Sequence, residues 1–170
     1  MCTSSYDYVI FLDIDGVLNH KQFYEKKKEL LYKSHIKLPF PFDSFDVNII
    51  HNLNKFWKVY SDVKLVISSS WRWNSDLEKI LKQVGLSKKI DNITPTIISN
   101  HRGEEIELFI KEHKVKNYVI IDDIDDMLEH QKEHLVLCDD KVGLTIENIE
   151  KVIDILNLKN ENNDKNLFLQ

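Results

Sequence analysis

The sequence contains no alanine, only two cysteines, three prolines and four glycines in 170 residues. Two cysteines cannot build a disulfide framework. Cys2 near the chain end and Cys138 in an apolar run suit a reducing compartment, so a cytoplasmic location is expected. So little glycine and proline excludes a collagen-like or low-complexity chain. No apolar run reaches 18 residues, which excludes a membrane-spanning helix, and Met1 to Asp7 lacks the basic-then-apolar order of a secretory leader. Arginine is scarce too: Arg72 and Arg102 stand against twenty-one lysines. In a chain that defaults to lysine, each arginine is informative, because its planar fork binds oxyanions bidentately.

What is present describes one soluble domain. Apolar residues make up 42% and charged residues 30%, and a chain of this length hides roughly 70% of its unfolded surface. The net charge of −5 argues against a wholly basic nucleic-acid surface, yet His20 to Phe45 holds six lysines against three acids. The domain is expected over residues 1–158, with a short insert at about 20–45 and a flexible polar tail at 159–170.

Short apolar runs alternate with amphipathic stretches. Tyr8 to Leu12, Lys64 to Ile67, Tyr118 to Ile121 and Leu135 to Cys138 read as strands buried on both faces, with a shorter candidate at Ile93 to Ile98. Asp46 caps a helix with apolar positions Val47, Ile50, Leu53, Trp57 and Tyr60. Ser75-x-x-Glu78 reads as a capping box, Gly103 to His113 as a third helix, and Thr145 as the cap of a fourth. Buried strands alternating with helices predict an α/β fold, a doubly wound parallel sheet with helices on both faces.

In such sheets ligands bind outside the carboxyl ends of the strands. There the chain places Asp13-Ile14-Asp15-Gly16 and Asn19, then Ser68, Ser69, Ser70, Trp71 and Arg72, then Asp122, Asp123 and Asp126, then Asp139 and Asp140. His101-Arg102-Gly103 precedes a helix. Carboxylates from distant segments meeting at one edge need a cation, and hard oxygen donors without thiolates favour magnesium. Ser68 and Arg102 suit phosphate oxygens.

FLDIDGVL, over Phe11 to Leu18, resembles the first motif of haloacid dehalogenase-like (HAD) phosphatases, a strand ending in DxDG. Ser68 after the second strand, a basic residue before the fourth, and Asp122-Asp123 with Asp126 after it keep the same family order. The resemblance runs from Tyr8 to Leu156. SSSWR, RGEEI and DDIDD narrow it to the small HAD domains associated with RNA-repair proteins. A receiver domain or a Toprim domain would need these acids in a different order. The resemblance departs from the family at one place: the third motif usually carries lysine, and Arg102 stands there instead, with Lys111, Lys114 and Lys116 as rivals.

The resemblance implies a Rossmann-like HAD fold with a minimal cap and magnesium-dependent phosphomonoester hydrolysis. Asp13 would attack phosphorus, Asp15 would act as acid then base, and Ser68 and Arg102 would stabilise transferred charge. Asp13, the Asp15 backbone carbonyl, Asp122 and Asp123 would hold the metal, and Asn19, Ser69, Arg72 and Asp126 would meet substrate. The open site and the lysine- and aromatic-bearing insert point to a phosphorylated nucleic-acid end, RNA or DNA, a 3′ phosphate before a 5′. A nucleotide or phosphoprotein phosphatase is the alternative, and a catalytically weak binding or regulatory module the alternative of another class. The chain is read as a monomer.

Overall fold

A computed structural model of the protein describes residues 5–98 and 101–158. The expected tail at 159–170, Cys2 and Asn100 lie outside the described residues. Five strands form one all-parallel sheet: β1 (Tyr8–Leu12), β2 (Lys64–Ile67), β3 (Asn92–Ile93), β4 (Asn117–Asp122) and β5 (Leu135–Leu137), in the order β3-β2-β1-β4-β5. The order reverses at the central β1, whose neighbours are β2 and β4. That reversal opens a crevice above the carboxyl end of β1.

Five α-helices complete the described fold: α1 (Lys21–Ser34), α2 (Val47–Val59), α3 (Leu77–Gln83), α4 (Arg102–His113) and α5 (Ile146–Ile155). The period-2 alternation of β1 splits its side chains between two cores. Ile10 and Leu12 face the α2, α3 and α5 side, with Leu53, Phe56, Leu81 and Ile149. Val9 and Phe11 face the α4 side, with Ile106 and Phe109. Both faces are therefore covered, which is why the strands read as continuous apolar runs. Each side chain of this size contributes roughly 1.5–3 kcal/mol on full burial.

Three local expectations change. The Ser75 capping box does not form: Asp76 occupies the N-cap of α3 without a side-chain cap bond, because Asn74 closes the turn ahead of it, accepting the Leu77 N–H at 3.0 Å and the Asp76 N–H at 2.9 Å. The third strand is only Asn92–Ile93. Its run ends at Pro95, which has no N–H to continue the ladder. His20, for which the absence of any ligand spacing to other histidines predicts a surface position, is 6% exposed. Its ring accepts the Phe23 N–H at the start of α1 and reaches Asp46 Oδ2 at 3.0 Å.

The insert at 20–45 is mainly α1, a helix without a single buried residue. Lysine, glutamate and leucine are good helix formers, and the base of α1 is fastened by the Lys21 and Gln22 N–H groups donating to Asp140 and Lys141 carbonyls, both at 3.0 Å. Among the described residues no helix is long and apolar enough to cross a membrane. The one described cysteine, Cys138, is buried and free, and burial pushes its thiol up to about 12.

Candidate active site

Strand pairing puts the first two carboxylates side by side. Leu12 lies opposite Ile121, and the Asp13 N–H continues the ladder by donating to the Ile121 carbonyl at 2.9 Å. Asp13 and Asp122 thus leave adjacent parallel strands at the same height. Asp123 is next in the chain, and carboxylate oxygens of Asp13, Asp122 and Asp123 lie within 4.8 Å of one another. The side chain of Asp15 is not in that cluster.

Gly16 lets the three acids meet. Its φ of +76° is the left-handed conformation that glycine adopts without strain, and a Cβ there would stand 2.3 Å from Asp123 Oδ2. Gly16→Ala is expected to lower the melting temperature by roughly 2–8 °C, from left-handed strain of about 1–2 kcal/mol and the displaced Asp123. A melting curve checks this.

Burial and mutual repulsion act on the cluster. Asp122 is 1% exposed, and burial, against the pull of Arg102, pushes its carboxyl up to about 7, with the neighbouring Asp13 and Asp123 charges adding to the rise. Burial also raises Asp13, again opposed by Arg102, and raises Asp123. The Asp122 Oδ2 atom is buried and makes no hydrogen bond, with the Arg102 Nη1 cation at 3.4 Å. A buried carboxylate oxygen with lone pairs to spare, beside two further carboxylates, fits a hard divalent cation such as magnesium.

Arg102 bridges this cluster from the first position of α4. Its Nη1 donates to Asp13 Oδ1 at 3.1 Å and lies 3.4 Å from Asp122 Oδ2. The helix start is bolted to the loop after β4. The Arg102 N–H donates to Asp126 Oδ2 and the Gly103 N–H to the Asp126 carbonyl, both at 2.9 Å. Buried Gln131 donates to the Gly103 carbonyl at 2.9 Å and accepts the Leu128 N–H at 3.1 Å. Only glycine fits at 103, because a Cβ would sit 2.6 Å from Leu128 N. The rivals point elsewhere: Lys111 pairs with Glu107, Lys116 pairs with Asp7, and Lys114 ends α4 in a left-handed conformation.

Asp15 is exposed and held on both oxygens. Asn19 Nδ2 donates to Oδ1 at 2.8 Å, and Trp71 Nε1 donates to Oδ2 at 3.0 Å. Asn19 also accepts the Gly16 N–H at 2.9 Å. Ser68 is 1% exposed with an unpartnered hydroxyl, a donor free for an incoming oxygen. Ser69, equally buried, hydrogen-bonds Asp13 and accepts the Trp71 N–H at 3.4 Å.

Several residues expected to meet substrate also hold the scaffold, and they line the hollows at the site. Arg72 spends Nη2 on Glu105 at 2.8 Å, a pair in which both side chains are under a tenth exposed, and it also donates to Thr94 and Thr96, both at 3.4 Å. Asp126 anchors α4 and pairs with His101 at 3.0 Å. Asn19, 2% exposed, positions Asp15. The alternation of Trp71 and Trp73 around Arg72 predicts core packing for both; Trp71 does pack against the core while also bonding Asp15, 56 residues back, which nothing in SSSWR signals, and Trp73 is exposed instead. Sequence reasoning also missed Lys21 and Tyr24, which α1 brings to a cleft of about 340 Å³ over Asp13, Asp15 and Arg102.

Sheet order, a carboxylate cluster at the switch point and a cation from α4 together fit one class, the Rossmann-like α/β fold of the HAD proteins. The chain belongs to the family described as the HAD domain in Swiss Army Knife RNA repair proteins, whose model matches residues 9–149. No curated protein matches the chain. A crystal structure of β-phosphoglucomutase from Clostridium difficile resembles it with a TM-score of 0.42 and 16% identity, covering 88% of this chain and 98% of that one. Membership of the HAD family implies phosphatase or hydrolase activity.

Proposed function

We propose that the protein is a magnesium-dependent phosphomonoester hydrolase that works through an aspartyl-phosphate on Asp13. The observation that carries the reading is the convergence of Asp13, Asp122, Asp123 and Arg102 at the mouth of β1 and β4. Asp13, Asp122, Asp123 and the Asp15 carbonyl would hold the metal. When bound, magnesium supplies charge neutralisation, so that an anionic nucleophile can approach an anionic ester. Asp13 attacks phosphorus, and the bond to the leaving oxygen breaks. Asp15, held by Asn19 and Trp71, gives that oxygen its proton and later takes one from the hydrolytic water. Arg102 and Ser68 donate to the phosphoryl oxygens. A magnesium-dependent phosphate-release screen tests the reading, comparing 3′- and 5′-phosphorylated oligonucleotides, mononucleotides, sugar phosphates and phosphopeptides. Release from none of them overturns it.

The raised Asp122 carboxyl gives the metal a pH signature. Its folded value of about 7 lies above the ordinary 3.8, so the metal-free protein loses stability from this group as pH rises through 7. Magnesium competes with that proton. Affinity should fall up to tenfold per pH unit below about 7, and the melting-temperature gain from magnesium should be larger at pH 8 than at pH 6. Calorimetric titration and melting curves read both.

The substrate class we favour is a nucleic-acid terminal phosphate, a 3′ end first. The support is the insert at 20–45, where Lys26, Lys28 and Tyr32 are exposed on α1, a helix with no buried residue, and Phe40 and Phe42 are exposed in the segment after it. Lysines follow a backbone while aromatic rings stack bases. Lys27 is spent on the Asp43 carbonyl at 2.7 Å, so the informative variant omits it. Lys26→Gln with Lys28→Gln should flatten the salt slope of single-strand binding by roughly 1.4, at about 0.7 per phosphate contact. An unchanged slope removes α1 from the interface.

A further inference from the structure

A surface groove lies beside the reaction cleft, and its most exposed ring, Trp73, takes no part in the chemistry above. Ser70 to Trp73 form a tight 3-10 turn, held at its start by Ser69 and at its end by Asn74. Trp71, Trp73, Ser70 and Asn74 line a shallow groove of about 470 Å³. Ser70 also lines the cleft over Asp13 and Asp15, so groove and cleft share an edge at Ser70. They share a second link: Trp71 faces the groove and donates its indole N–H to Asp15. Asp15 is the group that would protonate the leaving oxygen, so one hydrogen bond joins the proton donor to this turn.

Trp73 is 68% exposed and belongs to neither core. A tryptophan this exposed at the rim of a reaction cleft leaves most of its apolar surface in water and fills no core. It nevertheless has a cation partner. The Arg72 guanidinium sits 5.4 Å from its ring centroid, and Arg72 is itself pinned by buried Glu105 at 2.8 Å. The buried Arg72–Glu105 pair thereby acts as a rigid backing for an indole with open surface. A pre-positioned ring loses little conformational freedom on stacking.

We infer that this groove is the nucleobase subsite for the leaving group: the planar heterocycle of a nucleoside phosphate stacks on Trp73 while its phosphate lies at Asp13. This rests on the phosphatase reading. The ligand chemistry is a purine or pyrimidine attached to the reacting ester, from a free nucleotide or from a polynucleotide end. Stacking is tolerant of base identity, because every base has a π-face, so selectivity among the bases is expected to be weak.

Two measurements test it. In the Asp13→Asn protein, tryptophan fluorescence is monitored during titration with a 3′-phosphorylated dinucleotide, a 3′-mononucleotide and ribose 3-phosphate, which lacks a base. The two base-bearing ligands should quench, the sugar phosphate should not, and the quench should vanish when Trp73→Phe is added. In the active protein, the ratio of kcat/KM for a base-bearing substrate to that for the matching abasic one should fall roughly 5- to 150-fold in Trp73→Ala, through KM, and should largely return in Trp73→Phe. Equal effects of the dinucleotide and the mononucleotide identify a free nucleoside phosphate as sufficient, and a stronger dinucleotide effect identifies the polymer end. An unchanged ratio, or an equal loss on a phosphoserine peptide, overturns the subsite. Quenching without phosphate release from any substrate overturns the phosphatase reading and leaves the subsite standing. Phosphate release without discrimination for a base overturns the subsite alone.

Discussion

Asp13→Asn is expected to lower turnover by at least about 10³-fold while leaving the protein folded. The change keeps the shape and removes the attacking charge, the scale expected for loss of a covalent nucleophile. Stability should not suffer without metal. Asp13 is 4% exposed, and burial raises its carboxyl, so the charged form is already held at a cost that only partners such as Arg102 offset. An amide removes that cost. Turnover and a metal-free melting curve, measured together, separate a chemical loss from a folding loss. Near-normal turnover contradicts nucleophilic catalysis at this position.

Arg102→Ala is expected to remove roughly 2–4 kcal/mol of transition-state stabilisation, about 30- to 1,000-fold in kcat/KM, the scale of one lost oxyanion donor. The guanidinium reaches Asp13 and Asp122 from a helix start fixed by backbone bonds to Asp126, so the side chain can go while α4 keeps its place. Arg102→Lys should recover part of the loss, since a lysine can supply one donor and the same charge. Kinetics on all three proteins decide it. Damage confined to Lys111 or Lys116 variants would move the role to another residue.

Much of this site was legible because its parts sit at strand ends. Continuous apolar runs placed β1, β2, β4 and β5, and the residues immediately after three of those runs include Asp13, Ser68, Asp122 and Asp123. Arg102 stood out by its rarity in a lysine-rich chain. The illegible part is made of long-range side-chain bonds. Arg72 looked equally informative, yet its partner Glu105 lies 33 residues on and on another element. Trp71 reaches Asp15, and Gln131 clamps Gly103, through contacts that carry no periodicity. The Ser75 box failed for a local reason, since Asn74 had already closed the turn. The insert at 20–45 gave no core pattern because α1 buries nothing, so its helix had to come from capping by His20 and from backbone anchors in the β5 loop.

A phosphorylated Asp13 is the most direct consequence of the proposed mechanism. Rapid acid quench during turnover of a 3′-phosphorylated oligonucleotide with magnesium, and then peptide mass spectrometry, should find one phosphoryl group on the peptide carrying Asp13. The adduct should be cleaved by hydroxylamine, as an acyl phosphate is, and absent from Asp13→Asn. Phosphate release at full rate with no adduct at Asp13, or with the label on another residue, would contradict the account.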